Sequence, residues 1–184
     1  MSSEKPTSHE RLREHEAGLV IREAVLSDAD ILAEMLREAA EIMVKSGVEQ
    51  WKPEMFSREA VLEYFKSRRL FLLIADGNPA GLFTLQDSDP AYWQELNDEG
   101  YLYLHRLTVR PEYRGLDYGG EMLRYAEAEA RKSNKRGLRL DCVAHLPGLN
   151  AYYRRSGFQF IAERDLNRSV GGRYVNLYEK TDQR

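Results

Sequence analysis

The chain has 184 residues, a length typical of one domain and sufficient to bury a substantial core. Hydrophobic residues make up 42% and charged residues 31%, which is ordinary for a globular protein. The formal net charge of −3 lacks the basic excess of nucleic-acid-binding domains, and the longest apolar runs are too short to span a membrane. We therefore expect no nucleic-acid partner and no membrane segment.

The first 18 residues are polar, without periodicity and without the apolar core of a secretory signal. We interpret residues 1–18 as an N-terminal extension and residues 19–184 as one folded domain in the cytoplasm. The single cysteine, Cys142, excludes an intramolecular disulfide, and its strand-like segment favours a buried structural side chain over a nucleophile. The four histidines lack the spacing of a zinc site, so we expect no metal.

The hydrophobic pattern predicts strands and helices along the whole domain. The first half contains, in order, a strand at Leu19–Arg22, a helix begun by the capping pair Ser27 and Asp30 and ended by Gly47, a helix from Ser57, and a hairpin of Leu70–Ala75 with Ala80–Gln86. The second half contains, in order, a polar loop at Asp87–Gly100, a strand at Tyr101–Val109, a helix through Met122–Ala130, a strand at Leu138–Val143, a short helix at Gly148–Ser156, and strands at Phe158–Glu163 and Tyr174–Glu179.

This order of elements favours an α/β (α+β) fold, with a mixed, mostly antiparallel sheet of six to seven strands and helices on both faces. The segment Tyr101–Val143 is predicted to be strand–helix–strand, and such a unit forms a right-handed parallel crossover. We therefore expect one parallel strand pair in an otherwise antiparallel sheet.

The strongest chemical pattern is a glycine-rich loop between a strand and a helix, in Val109–Leu123. Gly115, Gly119 and Gly120 let backbone N–H groups approach a ligand closely. The helix N-terminus adds free donors and a partial positive charge, which together suit a phosphate or pyrophosphate. Taken alone, the same glycines are also compatible with a tight strand-to-helix turn that binds nothing.

A second pattern lies at the end of the short helix, in Leu149–Phe158. Three residues separate Tyr153 from the pair Gly157-Phe158. Gly157 is predicted to end the helix, and Phe158 to begin the next strand. The distance from the glycine-rich loop leaves room for one helix and one strand between the two patterns.

Together the two segments resemble those of the GNAT (Gcn5-related N-acetyltransferase) family. That family carries a hydrophobic–x–Val–x–Pro–x–x–Arg–Gly–x–Gly–x–Gly run after its fourth strand. The matching residues here are Leu107, Val109, Pro111, Arg114, Gly115 and Gly119. A weaker resemblance extends from Leu19 to Lys180.

The resemblance implies a CoA-dependent N-acyltransferase that transfers acetyl from acetyl-CoA to an amine by direct attack in a ternary complex. It implies that backbone amides of Arg114–Gly120 hold the CoA pyrophosphate, and that the backbone of Leu107 and Val109 pairs with the pantetheine arm. The residues implied to bind the cofactor are Leu107, Thr108, Val109, Arg114, Gly115, Leu116, Tyr118, Gly119, Gly120 and Asn150. Neither a metal nor a covalent enzyme intermediate is implied, and a homodimer is compatible with the resemblance.

Two positions depart from the family pattern. Asp117 replaces a usual glycine, and its carboxylate either caps the helix in competition with the pyrophosphate or points to solvent. We expect it to weaken CoA binding without abolishing it. Leu146 replaces an asparagine found in many members before the proline, and Asn150 is the candidate for the lost pantetheine contact.

The resemblance makes Tyr153 the general acid, whereas Tyr152 is interpreted as a packed aromatic. A phenol, with an ordinary pKa near 10, is protonated at neutral pH and can donate to a CoA thiolate. The attacking amine needs a base, and the candidates are His105, Tyr103 and Glu95, of which histidine is best suited near neutral pH.

The surroundings of these groups are harder to predict. Along an unbroken strand, His105 shares its face with Tyr103 and Leu107. Trp51, Trp93 and Tyr103 are candidates for the wall that contacts the amine acceptor, which is either a small molecule or a protein. Two alternatives remain: a non-catalytic acyl-CoA sensor or interaction module on the same fold, and a nucleotide-phosphate binder that converged on a similar loop.

Overall fold

The computed structural model describes residues 18–48, 50–167 and 172–182, so residues 1–17 of the predicted extension lie outside the described residues. The described strands are β1 (Leu19–Glu23), β2 (Arg69–Ala75), β3 (Asn78–Gln86), β4 (Leu102–Val109), β5 (Gly137–Val143), β6 (Gln159–Asp165) and β7 (Tyr174–Thr181). The described helices are α1 (Ala29–Lys45), α2 (Arg58–Tyr64), α3 (Pro90–Trp93), α4 (Tyr118–Lys132) and α5 (Pro147–Arg155). None of these helices has the length and apolar composition needed to cross a bilayer.

The strands form one sheet in the order β1-β2-β3-β4-β5-β7-β6. β4 and β5 pair in parallel, and the other neighbouring pairs are antiparallel. The mixed, mostly antiparallel sheet predicted from the sequence is therefore confirmed, as is the single parallel pair joined through α4.

Helices cover both faces of the sheet, which explains why its central strands are apolar on both sides. Along β2, Leu70 and Leu72 pack with the cluster formed by α1 and α2. Phe71 and Leu73, which alternate with them, pack with the cluster under α4 and α5. The sheet is thus the middle of three layers, and its strand ends are available to build a site.

Two of the predicted helix boundaries are confirmed, and one predicted cap is wrong. Ser57 precedes α2 as predicted, and its Oγ accepts the backbone N–H three residues later at 3.1 Å. Gly47, with φ of +71°, follows the end of α1. The predicted cap at Ser27 is wrong because a 3-10 turn precedes α1, and there the Asp28 carboxylate accepts the backbone N–H of Val25 at 2.8 Å.

A bulge at Arg106 interrupts β4. Arg106 has φ of +59°, and the pairing with β3 shifts there, so that Thr84 opposes His105 while Leu82 opposes Thr108. One extra residue on β4 reverses the alternation of its side chains.

The reversal corrects the predicted face of β4. Tyr103 belongs to a buried cluster with Trp93, whereas Leu107 packs with the cluster under α4. The prediction that His105, Tyr103 and Leu107 share a face is therefore wrong for Leu107. His105 and Arg106 are adjacent in the chain, yet both line one cavity.

β4 and β5 diverge after a short paired region. Pairing joins Leu102–Leu104 to Leu138–Leu140, although β4 continues to Val109 and β5 to Val143. Beyond the paired region, no described strand pairs with the edge of β4 that faces β5, so backbone donors and acceptors on this edge are left for another partner. This opening places the candidate site.

Candidate active site

Two cavities lie at the opening between β4 and β5. The loop cavity, of about 460 Å³, is lined by seven of the residues predicted to bind the cofactor: Leu107, Thr108, Val109, Arg114, Gly115, Tyr118 and Gly119. The histidine cavity, of about 230 Å³, is lined among others by Trp51, Asp89, His105, Arg106 and Asp141. Leu107, Leu149 and Tyr153 line both cavities, so the two spaces meet at these three side chains.

The wall of the loop cavity has the features of an anion site. Gly115 and Asp117 have φ of +85° and +57°, a backbone geometry that turns neighbouring N–H groups into a concave nest. The first N–H groups of α4 have no acceptor within the helix, and the Asp117 side chain makes no capping hydrogen bond. The positive end of α4 therefore faces this loop with its donors available.

The Asp117 carboxylate points outward. It accepts a hydrogen bond from Arg124 Nη2 at 3.1 Å, and its side chain is 64% exposed. Of the two alternatives raised by the sequence, the structure thus shows the carboxylate at the surface rather than on the helix-terminal amides.

Three predicted cofactor residues differ from the others in their placement. Leu116 packs against the core, and Gly120 lies beneath the Asp117 carboxylate, where an added Cβ would be 2.5 Å from Oδ1. The third, Asn150, is buried in a network of its own. Fewer of the predicted cofactor residues therefore line the loop cavity than the family pattern implies.

The Asn150 side chain ties the start of α5 to the sheet. Its amide nitrogen donates to the backbone oxygens of Val143, Ala144 and Leu146 at 3.0, 3.3 and 2.8 Å. Its Oδ1 accepts from Asn176 Nδ2 at 2.7 Å and from Tyr178 Oη at 2.8 Å. Because these internal groups use both its donors and its acceptor, the predicted contact of the Asn150 side chain with pantetheine is corrected to a structural role.

Replacing Asn150 by alanine is expected to destabilise the fold by about 2–4 kcal/mol, because several buried polar groups lose their partner. That loss corresponds to a fall of roughly 5–15 °C in melting temperature for a chain of this size. Thermal unfolding of Asn150→Ala beside Asn78→Ala, an exposed asparagine with one hydrogen bond to Asp76, measures the difference. An unchanged melting temperature together with weaker acetyl-CoA binding would restore the original interpretation.

Tyr152 contributes more than the packing expected of it. Its ring packs against Tyr153, with centroids 5.4 Å apart, and its hydroxyl is buried without a hydrogen-bond partner among the described residues. A Cβ added to Gly119 would lie 2.7 Å from that hydroxyl. Glycine is therefore needed at position 119 for Tyr152 to reach the loop cavity, which it also lines.

Tyr153 is held at the junction of the cavities by aromatic packing. Its ring centroid lies 5.9 Å from that of Phe158 and 6.2 Å from that of Tyr178, and the residue is 6% exposed. Burial raises the pKa of the Tyr153 phenol, and the neighbouring Cys142 acts in the same direction. The phenol is therefore kept in the protonated form that an acid catalyst requires.

His105 lies between two acids in the histidine cavity. Its Nε2 is 3.0 Å from Asp89 Oδ2, and its Nδ1 is 3.6 Å from Asp141 Oδ1. All three side chains are at most 13% exposed. Carboxylates on two sides of a ring fix the orientation of an imidazole.

The same three residues also offer three metal-ligand atoms within 4.8 Å of one another. The two carboxylates, however, face different ring nitrogens. A zinc ion needs ligand atoms that converge on one point at about 2.0–2.2 Å, and one imidazole directs a single nitrogen to such a point. The cluster therefore has the geometry of an imidazole held between two acids.

The structure changes the predicted acceptor wall. Trp51 lines the histidine cavity as predicted from the sequence. Trp93 and Tyr103 are instead fully buried together, and the Tyr103 hydroxyl donates to the backbone oxygen of Asp98 at 3.1 Å. Both are therefore removed from the wall, and Tyr103 is removed from the candidate bases.

Two other predicted groups are also accounted for. Glu95 is exposed and pairs with Arg164, outside the residues that line the histidine cavity. Cys142 is buried, and burial raises the pKa of its thiol to about 12. A thiol that remains protonated is a poor nucleophile, in agreement with the structural interpretation of Cys142.

The sequence pattern missed four charged side chains of the histidine cavity: Arg68, Asp89, Arg106 and Asp141. One signal for Asp141 was present, since Leu104 pairs with Leu140 in the parallel register and the next residues on the two strands are His105 and Asp141. No comparable signal exists for Asp89, which reaches His105 from the connection after β3.

Comparison with known proteins agrees with this geometry. Residues 32–158 match the acetyltransferase (GNAT) family. The chain is 28% identical over 144 residues to the uncharacterized N-acetyltransferase YesJ of Bacillus subtilis, covering 75% of this chain and 80% of that protein.

Solved structures share the fold. An acetyltransferase of the GNAT family from Listeria monocytogenes superimposes with a TM-score of 0.72 at 23% identity, covering 89% of this chain and 95% of that one. YncA of Salmonella typhimurium, solved with its cofactor acetyl-CoA, gives a TM-score of 0.69 at 15% identity, covering 91% and 96%. The family match extends over both the glycine-rich loop and Tyr153, and the chain therefore belongs to the GNAT family and is an N-acetyltransferase.

Proposed function

We propose that the enzyme binds acetyl-CoA in the loop cavity and an amine in the histidine cavity, and transfers the acetyl group directly between them. The observation that carries this proposal is that Tyr153 lines both cavities. A group placed there can contact the thioester sulfur from one side while the amine approaches from the other.

The loop cavity supplies what CoA requires. The free N–H groups at the start of α4 suit the pyrophosphate, and the open edge of β4 suits the amide groups of the pantetheine arm. The Tyr152 hydroxyl is a further donor beside Gly119. The acetyl-CoA bound to yncA, a protein of the same fold, supports this assignment.

In the proposed reaction, Asp89, at 3.0 Å from Nε2, holds His105 in place, and Nδ1, which lies farther from its carboxylate at 3.6 Å, removes a proton from the amine. At pH 7, a primary amine with a pKa near 10 is about three pH units below its pKa. Forming the uncharged amine therefore costs roughly 4 kcal/mol, which a base offsets. The neutral nitrogen then forms a bond to the thioester carbonyl carbon. A backbone N–H near Leu107–Thr108 stabilises the oxyanion. The carbon–sulfur bond breaks, and Tyr153 donates its proton to the departing thiolate. The second proton of the amine leaves the nitrogen for solvent, from which Tyr153 is reprotonated.

The test of this function is a screen of amines with acetyl-CoA, in which free CoA thiol is measured. Steady, amine-dependent thiol release supports the proposal. Binding of acetyl-CoA without turnover of any amine would favour the non-catalytic sensor. A preference for nucleotides over CoA in a thermal-shift assay would favour the convergent phosphate binder. A cytoplasmic location and a homodimer remain predictions.

Replacing Asp117 by glycine is expected to tighten acetyl-CoA binding by up to about fivefold. The carboxylate lies beside the proposed pyrophosphate site, and like-charge repulsion at the surface is on the order of 1 kcal/mol. Its pairing with Arg124 reduces the repulsion, which makes a small gain more consistent with the structure than a large one. Calorimetric titration of the two proteins measures the effect, and unchanged or weaker binding in the variant would remove Asp117 as a source of interference.

A further inference from the structure

The histidine cavity contains an arginine, Arg106, that forms no hydrogen bond to a carboxylate within the described residues. The guanidinium carbon of Arg106 lies 4.9, 4.9 and 5.6 Å from the ring centroids of Trp51, Phe56 and Tyr64. Within the described ranges, its one hydrogen bond is donated by Nη2 to Tyr64 Oη at 3.2 Å. Arginine has five N–H donors, so most of its hydrogen-bonding capacity is left for a ligand in the cavity that it lines.

Arg68 adds a second positive charge to the same cavity. Its guanidinium carbon lies 4.8 Å from the Tyr64 ring centroid, and its Nε is buried without a hydrogen-bond partner in the described part of the chain. Burial lowers the pKa of Arg106 and Arg68 acts in the same direction, whereas Tyr64, Tyr92 and Asp141 raise it. An anionic group of a ligand would supply hydrogen-bond acceptors for both guanidinium groups.

Other residues that line the histidine cavity carry hydrogen-bond acceptors instead of donors, and the cavity is small. Asp89 and His105 supply acceptors for an ammonium group. The volume of about 230 Å³ is half that of the loop cavity, which favours a small acceptor. A small molecule with both charges therefore fits the cavity better than a long polyamine or a protein segment.

We propose that the acceptor is a small zwitterionic amine, such as a free amino acid or an aminophosphonate, whose anionic group binds Arg106 and Arg68 while its amino group faces His105 and Asp89. The planar fork of arginine matches a carboxylate or phosphonate through paired hydrogen bonds. A polyamine would instead place a second cation beside two arginines. This inference rests on the proposed function and names the substrate class of the same site.

The experiment compares matched acceptors. The protein amino acids, their amides and the corresponding decarboxylated amines are each assayed with acetyl-CoA by thiol release, with simple aminophosphonates as a further arm. For the best acceptor we expect kcat/KM to be at least tenfold higher for the anionic form than for its amide. A carboxylate preference and a phosphonate preference distinguish the two anionic groups.

Variants then test the arginine. Arg106→Gln is expected to reduce the ratio of kcat/KM for the acid over that for the amide at least tenfold, mainly by raising KM for the acid, and Arg106→Lys to reduce it less. Because the ratio is measured within each variant, a loss of folded protein cancels. Arg58→Gln, which removes an exposed arginine paired with Asp30 outside the cavity, should leave the ratio unchanged.

Each contrary result has a definite meaning. If neutral amines or polyamines are acetylated as well as their acidic counterparts, or if Arg106→Gln leaves the ratio unchanged, the inference is overturned while the acetyltransferase proposal stands. If no amine of any class releases thiol, the proposed reaction fails and the inference fails with it.

Discussion

Replacing Tyr153 by phenylalanine is expected to lower kcat by about 10²- to 10⁴-fold, the usual contribution of a general acid, while KM for acetyl-CoA changes little. The ring remains to pack against Phe158 and Tyr178, so the loss is confined to the proton donor. Steady-state thiol release over a range of acetyl-CoA concentrations separates the two parameters.

The control for this prediction is Tyr125→Phe, which removes a hydroxyl from a tyrosine of α4 that packs on Phe71 and Phe83. It should retain the activity of the unmodified enzyme. The pH profile gives an independent check. Because burial raises the pKa of Tyr153, the phenol keeps its proton above the ordinary range of tyrosine. Loss of activity from this group is therefore expected only above about pH 10. Wild-type turnover in the Tyr153→Phe variant would exclude the acid role.

Replacing His105 by glutamine is expected to lower kcat/KM for the amine by about 10²-fold at pH 7, because no side chain then removes the proton from the nucleophile. The deficit should narrow between pH 7 and 9. Below the pKa of the amine, the neutral fraction in solution rises tenfold with each pH unit, so the need for a base declines. Rate measurements for both proteins across this range test the prediction.

His145→Gln is the matched control, since His145 is exposed and is not among the residues that line either cavity. Asp89→Asn adds a second comparison. As a positioning residue, Asp89 should affect kcat less than His105, and its variant should show the same narrowing with pH. A constant deficit at all pH values in His105→Gln would indicate that the imidazole is structural.

The glycine-rich loop and Tyr153 could be predicted because each pattern is continuous in the chain. A glycine is visible in the sequence, and it indicates either an unusual backbone conformation, as at Gly115, or the close approach of another group, as at Gly119. The end of α5 is similarly local, since Gly157 adopts φ of +88° where the helix stops. The order of strands followed from element lengths and the crossover rule.

The acceptor side could not be predicted in the same way. The bulge residue of β4 is Arg106 rather than a glycine. The local sequence therefore gives no sign that the side-chain alternation reverses there and places Leu107 and His105 on different faces. Trp93 turned inward because a large aromatic ring gains more free energy from burial than from lining a polar cavity. Asn150 was assigned to the ligand because it lies one helical turn from Leu146, whereas the groups that occupy its Oδ1, Asn176 and Tyr178 of β7, are distant in sequence.

The division into two cavities has a consequence for how this enzyme could diverge from its relatives. The loop cavity is built largely from one uninterrupted stretch, residues 107–119. Apart from the three shared residues, the histidine cavity draws on separate segments around residues 43–51, 68, 86–92, 104–106 and 141–142. Mutations scattered over those segments can alter the choice of amine one side chain at a time without disturbing the CoA half. Homologues with nearly identical loop motifs can therefore acquire different substrates. A shared motif then indicates a shared reaction, not a shared metabolic role.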